Sequence, residues 1–470
     1  MENKVNKRSA LIVAALSSFL TPFTGSSVAV ALPQIRSEFG MDAVLLSWIS
    51  TGYLLTAAIF LVPFGRAADI YGRKKIFQWG IFTYTLASLL AVLSTSGLLF
   101  LCFRMLQGFG AGLIFGTGVA ILTSAYPPGE RGKALGVNAA TVYLGLSLGP
   151  FLGGVLTQHF GWRSIFISIL PVGLTAFYFT TWRLRGEWAE AKGEKIDVTG
   201  SLIFGLTLIA LMYGFSLLPG RWGTGFVVIG ALGMTLFVRW ELKVKNPILN
   251  LRLFINNRVF AFSNLAALIN YSANYATIFL LSLYLQYTLG LSPQNAGLVL
   301  IIQPAVMAMI SPFAGRLSDR IEARIVSSIG MAITFVGLFL LIFLSEKTDL
   351  SYIITAQVFL GFGFALFSSP NTNAVMSSVG RQFYGVASAI LGTMRLNGNM
   401  LSMGIVTLIF SIYLGRREIT PEYYPLFLTS SKVAFSMFST LCFAGIFTSL
   451  SRGKTIVPSL QRQEGRPGND

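Results

Sequence analysis

Two arginines fall inside long apolar runs of the 470-residue chain, Arg104 within Leu101-Cys102-Phe103-Arg104-Met105-Leu106-Gln107-Gly108 and Arg395 within Ile390-Leu391-Gly392-Thr393-Met394-Arg395-Leu396. A guanidinium in hydrocarbon is expensive. Such a residue either lines a ligand or ion path or ties neighbouring helices together. Both readings stay open for Arg104, which shares a helical face with Gln107 three residues on. Arg395 lies on a polar stripe with Ser388, Asn399 and Ser402, at spacings of 7, 4 and 3 residues that fit one helical face. A second stripe, Ser263, Ala267, Asn270 and Asn274, is flanked by Tyr271 and Tyr275, and Gln303, Asn371 and Asn373 add further amides. Some of these amides are expected to line a cavity and the others to bridge helices.

The usual acid partners are missing from the same runs. All 18 acidic residues fall in loops, tails or helix ends, and the single histidine, His159, falls near the end of an apolar run. A buried carboxylate is the common intramembrane proton carrier and the common partner of a cationic ligand. Cys102 and Cys442 sit singly in apolar runs and read as small core hydrophobes, so neither a disulfide framework nor a metal site is expected. No HExxH, GxSxG or CxxC pair occurs, which argues against an enzyme, and nothing calls for a cofactor.

The elements that must position these residues follow from composition. The chain is 54% hydrophobic and 11% charged, against about 25% charged in soluble domains. Apolar runs lie at roughly 10–32, 44–64, 76–95, 98–122, 134–157, 164–182, 198–218, 222–240, 259–287, 294–314, 325–344, 351–372, 384–412 and 433–451. Each reaches the length of a spanning helix, about 20 residues. Fourteen spans make an all-α integral membrane protein with both termini on one side. The formal charge of +17 would suggest nucleic acid in a soluble protein. Here 26 of the 35 basic residues fall in the loops and tails on the side of the termini and 7 on the other, so the termini are expected to be cytoplasmic and no nucleic-acid partner is expected. The first run, although preceded by Lys4, Lys7 and Arg8, is too long for a signal-peptide core and reads as a span. Residues 461–470 are polar and read as a disordered tail.

One motif recurs. Gly65-Arg66-Ala67-Ala68-Asp69 is echoed 250 residues later by Gly315-Arg316-Leu317-Ser318-Asp319, each closing an apolar run. Six helices before and six after then pair as two halves of a transporter-like repeat. The expected layout is a first six-helix bundle at 1–185, a linker with two additional helices at 186–257, a second bundle at 258–455, and a tail at 456–470. The charged stretch Arg183 to Asp197 reads as a solvated loop without chemistry.

The segment Gly65-Arg66-Ala67-Ala68-Asp69-Ile70-Tyr71-Gly72-Arg73-Lys74-Lys75 resembles the loop between helices 2 and 3 of the major facilitator superfamily. The resemblance implies a gate: Gly65 for close helix approach, Asp69 bonded to the N-terminus of a neighbouring helix, Gly72 at the turn, and Arg73 paired with an acid to latch one side. Gly145, Gly149, Pro150, Gly153 and Gly154 resemble the GxxxGPxxGG motif of the superfamily's antiporters, and Arg104-Met105-Leu106-Gln107-Gly108 resembles its RxxQG motif. Together with the fourteen spans these features resemble the 14-span drug:proton antiporters over essentially the whole chain. That family carries an acid in a first-span LDxTIVNVALP sequence, whereas Leu20-Thr21-Pro22-Phe23-Thr24 leads into Val30-Ala31-Leu32-Pro33 here and the acid is gone.

The resemblance implies a plasma-membrane secondary transporter that exports drugs or other amphipathic small molecules, lies among membrane lipid, and takes protons as coupling ion through Asp69 or His159. The alternative is an exporter of an organic anion, with Arg104 and Arg395 as anion partners and no carboxylate-based proton coupling. The candidate substrate or coupling residues are Arg104, Gln107, Asn270, Asn274, Tyr275, Gln303, Asn371, Arg395 and Asn399.

Overall fold

A computed structural model describes residues 7–127, 130–249, 251–318, 320–380 and 384–453. The second motif's Asp319, the tail and the expected limit at 455 lie outside the described residues. No strand occurs among the described residues, and fourteen helices have membrane length and apolarity. In the first half these are α1 (Lys7–Phe39), α2 (Ala43–Tyr71), α3 (Arg73–Val92), α4 (Gly97–Ala125), α5 (Ala134–Phe160) and α6 (Arg163–Arg183). Then come α7 (Val198–Leu217) and α8 (Arg221–Lys243). The second half holds α9 (Arg258–Thr288), α10 (Pro293–Ser318), α11 (Ala323–Leu341), α12 (Leu350–Ser377), α13 (Val386–Tyr413) and α14 (Pro421–Leu450). This is the expected all-α fold of two six-helix bundles and an additional pair.

Helix starts follow local chemistry. Asp42, Ser96, Asp197, Asn257 and Ser292 each accept a bond from the backbone N–H three residues on, satisfying a donor that the first turn leaves free. Several helices run past their apolar stretch. Asp69 therefore sits in the last turn of α2, which ends at Gly72 with φ +117°, a conformation that side chains disfavour.

In the first half α1 lies along α5, α2 and α3 pack on α4, and α3 packs on α6; in the second, α12 holds α10 and α11 while α9 packs on α13 and α14. The glycines of α5 explain the α1 contact. A Cβ on Gly145 would stand 2.7 Å from the Phe19 carbonyl, and one on Gly149 2.9 Å from that of Phe23, so only glycine allows the approach. The additional helices pair with each other, and α7 borders α2 and α13 at the edge of the seam. Trp222, Ile229, Leu232 and Leu236 of α8 face outward, as apolar side chains do toward lipid.

Two helices are broken, α9 at Tyr275 with no proline or glycine beside it, and α10 at Ile301, where Pro304 three residues on lacks the N–H that would bond the Leu300 carbonyl. Beyond its break α9 turns to the first half. Ser282 Oγ donates to the Ala29 carbonyl (2.6 Å) and Gln286 Nε2 to that of Val30 (2.9 Å). The first segment of α10 likewise packs on α5. The N–H of Ala276, just past the break, donates to Ser402 Oγ on α13 at 2.9 Å.

Candidate functional site

The gate motif of the first half is held by a segment that the sequence presented as inert. Arg73 is buried. Its Nε donates to Asp69 Oδ1 (2.9 Å), and its Nη1 to Ser124 of α4 and to Glu190 Oε1 (2.8 Å) of the stretch after α6. The same stretch brings Glu194 to Arg66 and Glu187 to the backbone N–H of Lys74 (2.8 Å), while the Ala191 N–H bonds the Asp69 carbonyl and the Arg73 N–H that of Trp188. Glu187 also fills the space where a Gly72 side chain would stand, 2.7 Å from its Oε1. Arg183 to Asp197 is therefore a docked clasp and not a solvated loop: its three glutamates meet the cations of the motif and a free N–H at the start of α3. Asp69 is correspondingly bound by Arg73 itself, where a neighbouring helix N-terminus was expected. Gly65 faces Gly116 of α4 at ordinary van der Waals distance.

The second copy of the motif has no matching clasp among the described residues. A Gly315 side chain would stand 3.1 Å from Ser369 Oγ, and Asn373 Nδ2 donates to Ser318 Oγ at 3.1 Å.

Arg104 is closed on the first half. It is 1% exposed, bonds Gln107 Oε1, and lies 4.4 Å from the Tyr53 ring centre; Gln107 Nε2 passes the chain on to Ser88 Oγ at 2.8 Å. All of these partners belong to α2, α3 and α4. The arrangement ties three helices and presents little to a ligand.

Arg395 is different. It is half-buried, its Nη2 donates to Thr372 Oγ1 of α12 (2.5 Å), its carbon centre lies 5.6 Å from the Tyr271 ring, and its Nε is enclosed without a partner. Tyr271 meets Phe364 edge-on at 5.1 Å and its hydroxyl lies 3.4 Å from Ser368 Oγ. Tyr143 and Leu146 of α5 pack into the same apolar cluster, together with Met307 and Ile310 of α10. One turn above Arg395, Asn399 Oδ1 also lacks a partner. Both halves thus contribute to this cluster.

The other candidates separate. Asn274 Oδ1 accepts from Gln303 Nε2 at 3.1 Å, which joins the two helix breaks, since Asn274 precedes the one and Gln303 follows the other. The Tyr275 hydroxyl lies against Gly25 of α1. Asn270 is fully buried with neither amide atom bonded. Asn371 is a bridge: it donates to the Ser263 carbonyl (3.1 Å) and accepts from Arg452 Nη1 (3.0 Å). Sequence reasoning missed Arg452, which sits just past α14 and counted only as a topology-setting charge. It is 0% exposed, also bonds Ser263 and Ser449, and burial pulls its guanidinium down to about 10. Among the described residues no cluster of His, Cys, Asp or Glu could hold a metal ion.

The halves meet on the face opposite the termini. Arg36 pairs with Glu418 (2.6 Å), the Ala43 N–H bonds the Arg417 carbonyl, Ser47 and Thr51 share Thr407, and His159 Nε2 lies 3.2 Å from Gln294 Oε1. Beneath these bonds Gly154 abuts Pro293 and Gly297 abuts the Pro150 carbonyl, too close for any side chain. Toward the termini, side chains added at Gly136 of α5 or Gly392 of α13 would meet nothing.

Two helix bundles that share a cluster of side chains and bond to each other on the face opposite the termini have the architecture of a carrier and not of an enzyme. Residues 14–247 and 263–461 match the family model described as Major Facilitator Superfamily. The chain belongs to that superfamily. Similar proteins include the riboflavin transporter RibZ of Clostridioides difficile strain 630 (27% identical, covering 94% of this chain and 96% of that one). The multidrug resistance protein Stp of Mycobacterium tuberculosis strain CDC 1551 is 31% identical over 75% of this chain and 65% of its own, and the methylenomycin A resistance protein of Bacillus subtilis strain 168 is 31% identical over 73% and 74%. Among solved structures, a peptide transporter POT in complex with sulfate matches with TM-score 0.68 at 14% identity (97% and 95% covered). A bacterial homologue of the lysosomal transporter Spinster, inward-facing and unoccupied, matches with 0.64 at 17% (96% and 98%). At these identities the structures speak for the fold alone.

Proposed function

We propose that the protein exports small amphipathic molecules, drugs among them, by alternating access in exchange for protons. It would act in a plasma membrane with both termini cytoplasmic, as the basic bias of the loops on that side supports. One observation carries the export reading. The glycine-proline stretch of α5 that resembles the antiporter motif packs on α1 through Gly145, Gly149 and Gly153 and forms the sealed seam through Pro150 and Gly154. Substrate loads from the termini side, and release follows when the α5–α10 seam parts. The moving bodies are 1–185 and 258–455, with the clasp travelling on the first because its three glutamates bond that half.

The named resistance functions of the relatives support this reading, and the riboflavin transporter among them supports a wider substrate range. Proton coupling falls to His159, in contact with Gln294 across the seam, and to Asp69 beside Arg73, because no acid lies deep in a span. Purified protein in liposomes holding a pH-sensitive dye tests the proposal. Addition of an ethidium-type cation or an amphipathic anion is expected to move protons beyond the empty-liposome control, and substrate uptake with no proton movement would overturn the coupling.

A further inference from the structure

We infer that the side-chain cluster around Arg395 binds a planar aromatic monoanion, a ring bearing one carboxylate or sulfonate, and that Arg395 alone of the two intramembrane arginines takes the anionic group. The inference deepens the transporter reading and rests on it. Arg104 offers little to a ligand, because it is sequestered against Gln107 and Tyr53. Arg395 is half-buried and spends Nη2 on the neutral Thr372 hydroxyl, whereas Arg104 is 1% exposed; Nε is enclosed without a partner in both, so exposure is what sets Arg395 apart. Among the described residues no carboxylate forms an ion pair with it. A guanidinium in this setting carries an uncompensated charge whose remaining N–H groups suit the fork of a carboxylate or sulfonate.

The surroundings of that charge select the rest of the ligand. Tyr271 stands beside the guanidinium, Phe364 meets Tyr271 edge-on, and Tyr143 reaches in from the first half. Such a wall favours a flat ring over an aliphatic chain. A second anion has no second cation to meet, so a dianion would leave one charge desolvated. A ligand held between Tyr143 and Arg395 touches both moving halves, so its binding energy differs between states, as a transported substrate requires.

The test is calorimetric titration of the purified full chain with 1-naphthoate, its neutral isostere 1-naphthamide, and chloride. The wild type is expected to bind naphthoate at least 10-fold more tightly than naphthamide. Arg395→Gln is expected to weaken naphthoate by about 30-fold, the scale of a lost charge-assisted bond pair, and naphthamide by less than about 3-fold. Arg395→Lys keeps the charge without the fork and is expected to lie between the two, which provides a second variant should the glutamine protein fail to fold. Equal losses for both ligands, unchanged naphthoate binding in both variants, or displacement of naphthoate by chloride at similar concentration would overturn the inference. Failure of the transport reading looks different. Naphthoate would then bind through Arg395 while no amphiphile crosses liposomes, whereas uptake of neutral or cationic amphiphiles without naphthoate binding would sink only the anion site.

Discussion

The two faces of the molecule are closed by different means. Opposite the termini the halves bond directly to each other, through Arg36 and Glu418, Thr407 with Ser47 and Thr51, and glycine contacts too tight for a Cβ. On the face of the termini the strongest polar cluster stays within the first half and its linker, where Asp69, Arg73 and Glu190 meet. The difference teaches that the seam stabilises one global state, whereas the clasp fixes the shape of one moving body. Damage to the seam should change which state is populated, and damage to the clasp should change how fast the state is left.

The largest effect is expected from Gly297→Leu. An added side chain must collide with the Pro150 backbone, and an overpacking cost of about 3 kcal/mol lowers the sealed population roughly 100-fold. Thiol labelling of Thr407→Cys, in a protein with the exposed Cys102 replaced by Ser, should become fast from the far side, and unchanged protection would break the comparison. Next comes Asp69→Asn, which removes a charged partner from a buried guanidinium. Initial uptake rates should fall about 10-fold while the yield of monodisperse protein holds, and a wild-type rate would end the latch idea. Glu190→Gln should slow uptake only about 3-fold, because Glu190 is largely exposed. That effect should vanish in roughly 1 M salt. The smallest effect belongs to Arg36→Gln, less than about 2-fold, since its partner Glu418 is half-exposed and a solvent-screened pair contributes about 0–1 kcal/mol. The swapped pair Arg36→Glu with Glu418→Arg should restore the wild-type rate and so isolate the ion pair from the glycine seam.

The helices were legible in the sequence because a membrane demands long uninterrupted apolar runs, and the gate and glycine motifs because they need glycine and charge at fixed spacing. The break at Tyr275 was not, since Ala273-Asn274-Tyr275-Ala276 contains no residue that breaks helices on its own, whereas the break at Ile301 had a signal in Pro304 that an apolar run conceals. Tertiary bonds settle at Tyr275 what propensity leaves open. The clasp was hidden for a related reason: glutamates between spans look solvated until the fold brings Arg66, Arg73 and Lys74 beside them. Arg104 and Arg395 were equally visible as membrane charges. Only packing separates them, because Arg104 is 1% exposed against Gln107 and Tyr53 whereas Arg395 is half-buried.

Arg452 fixes an order of events in biosynthesis. Its guanidinium bonds Ser263 and Asn371, residues 189 and 81 positions earlier in the chain. As the polypeptide emerges from its N-terminal end, α9 and α12 reach the bilayer long before the group that joins them does. The second half therefore waits, with an acceptor on Asn371 unfilled, until the last helix has been inserted and the turn beyond it has left the ribosome.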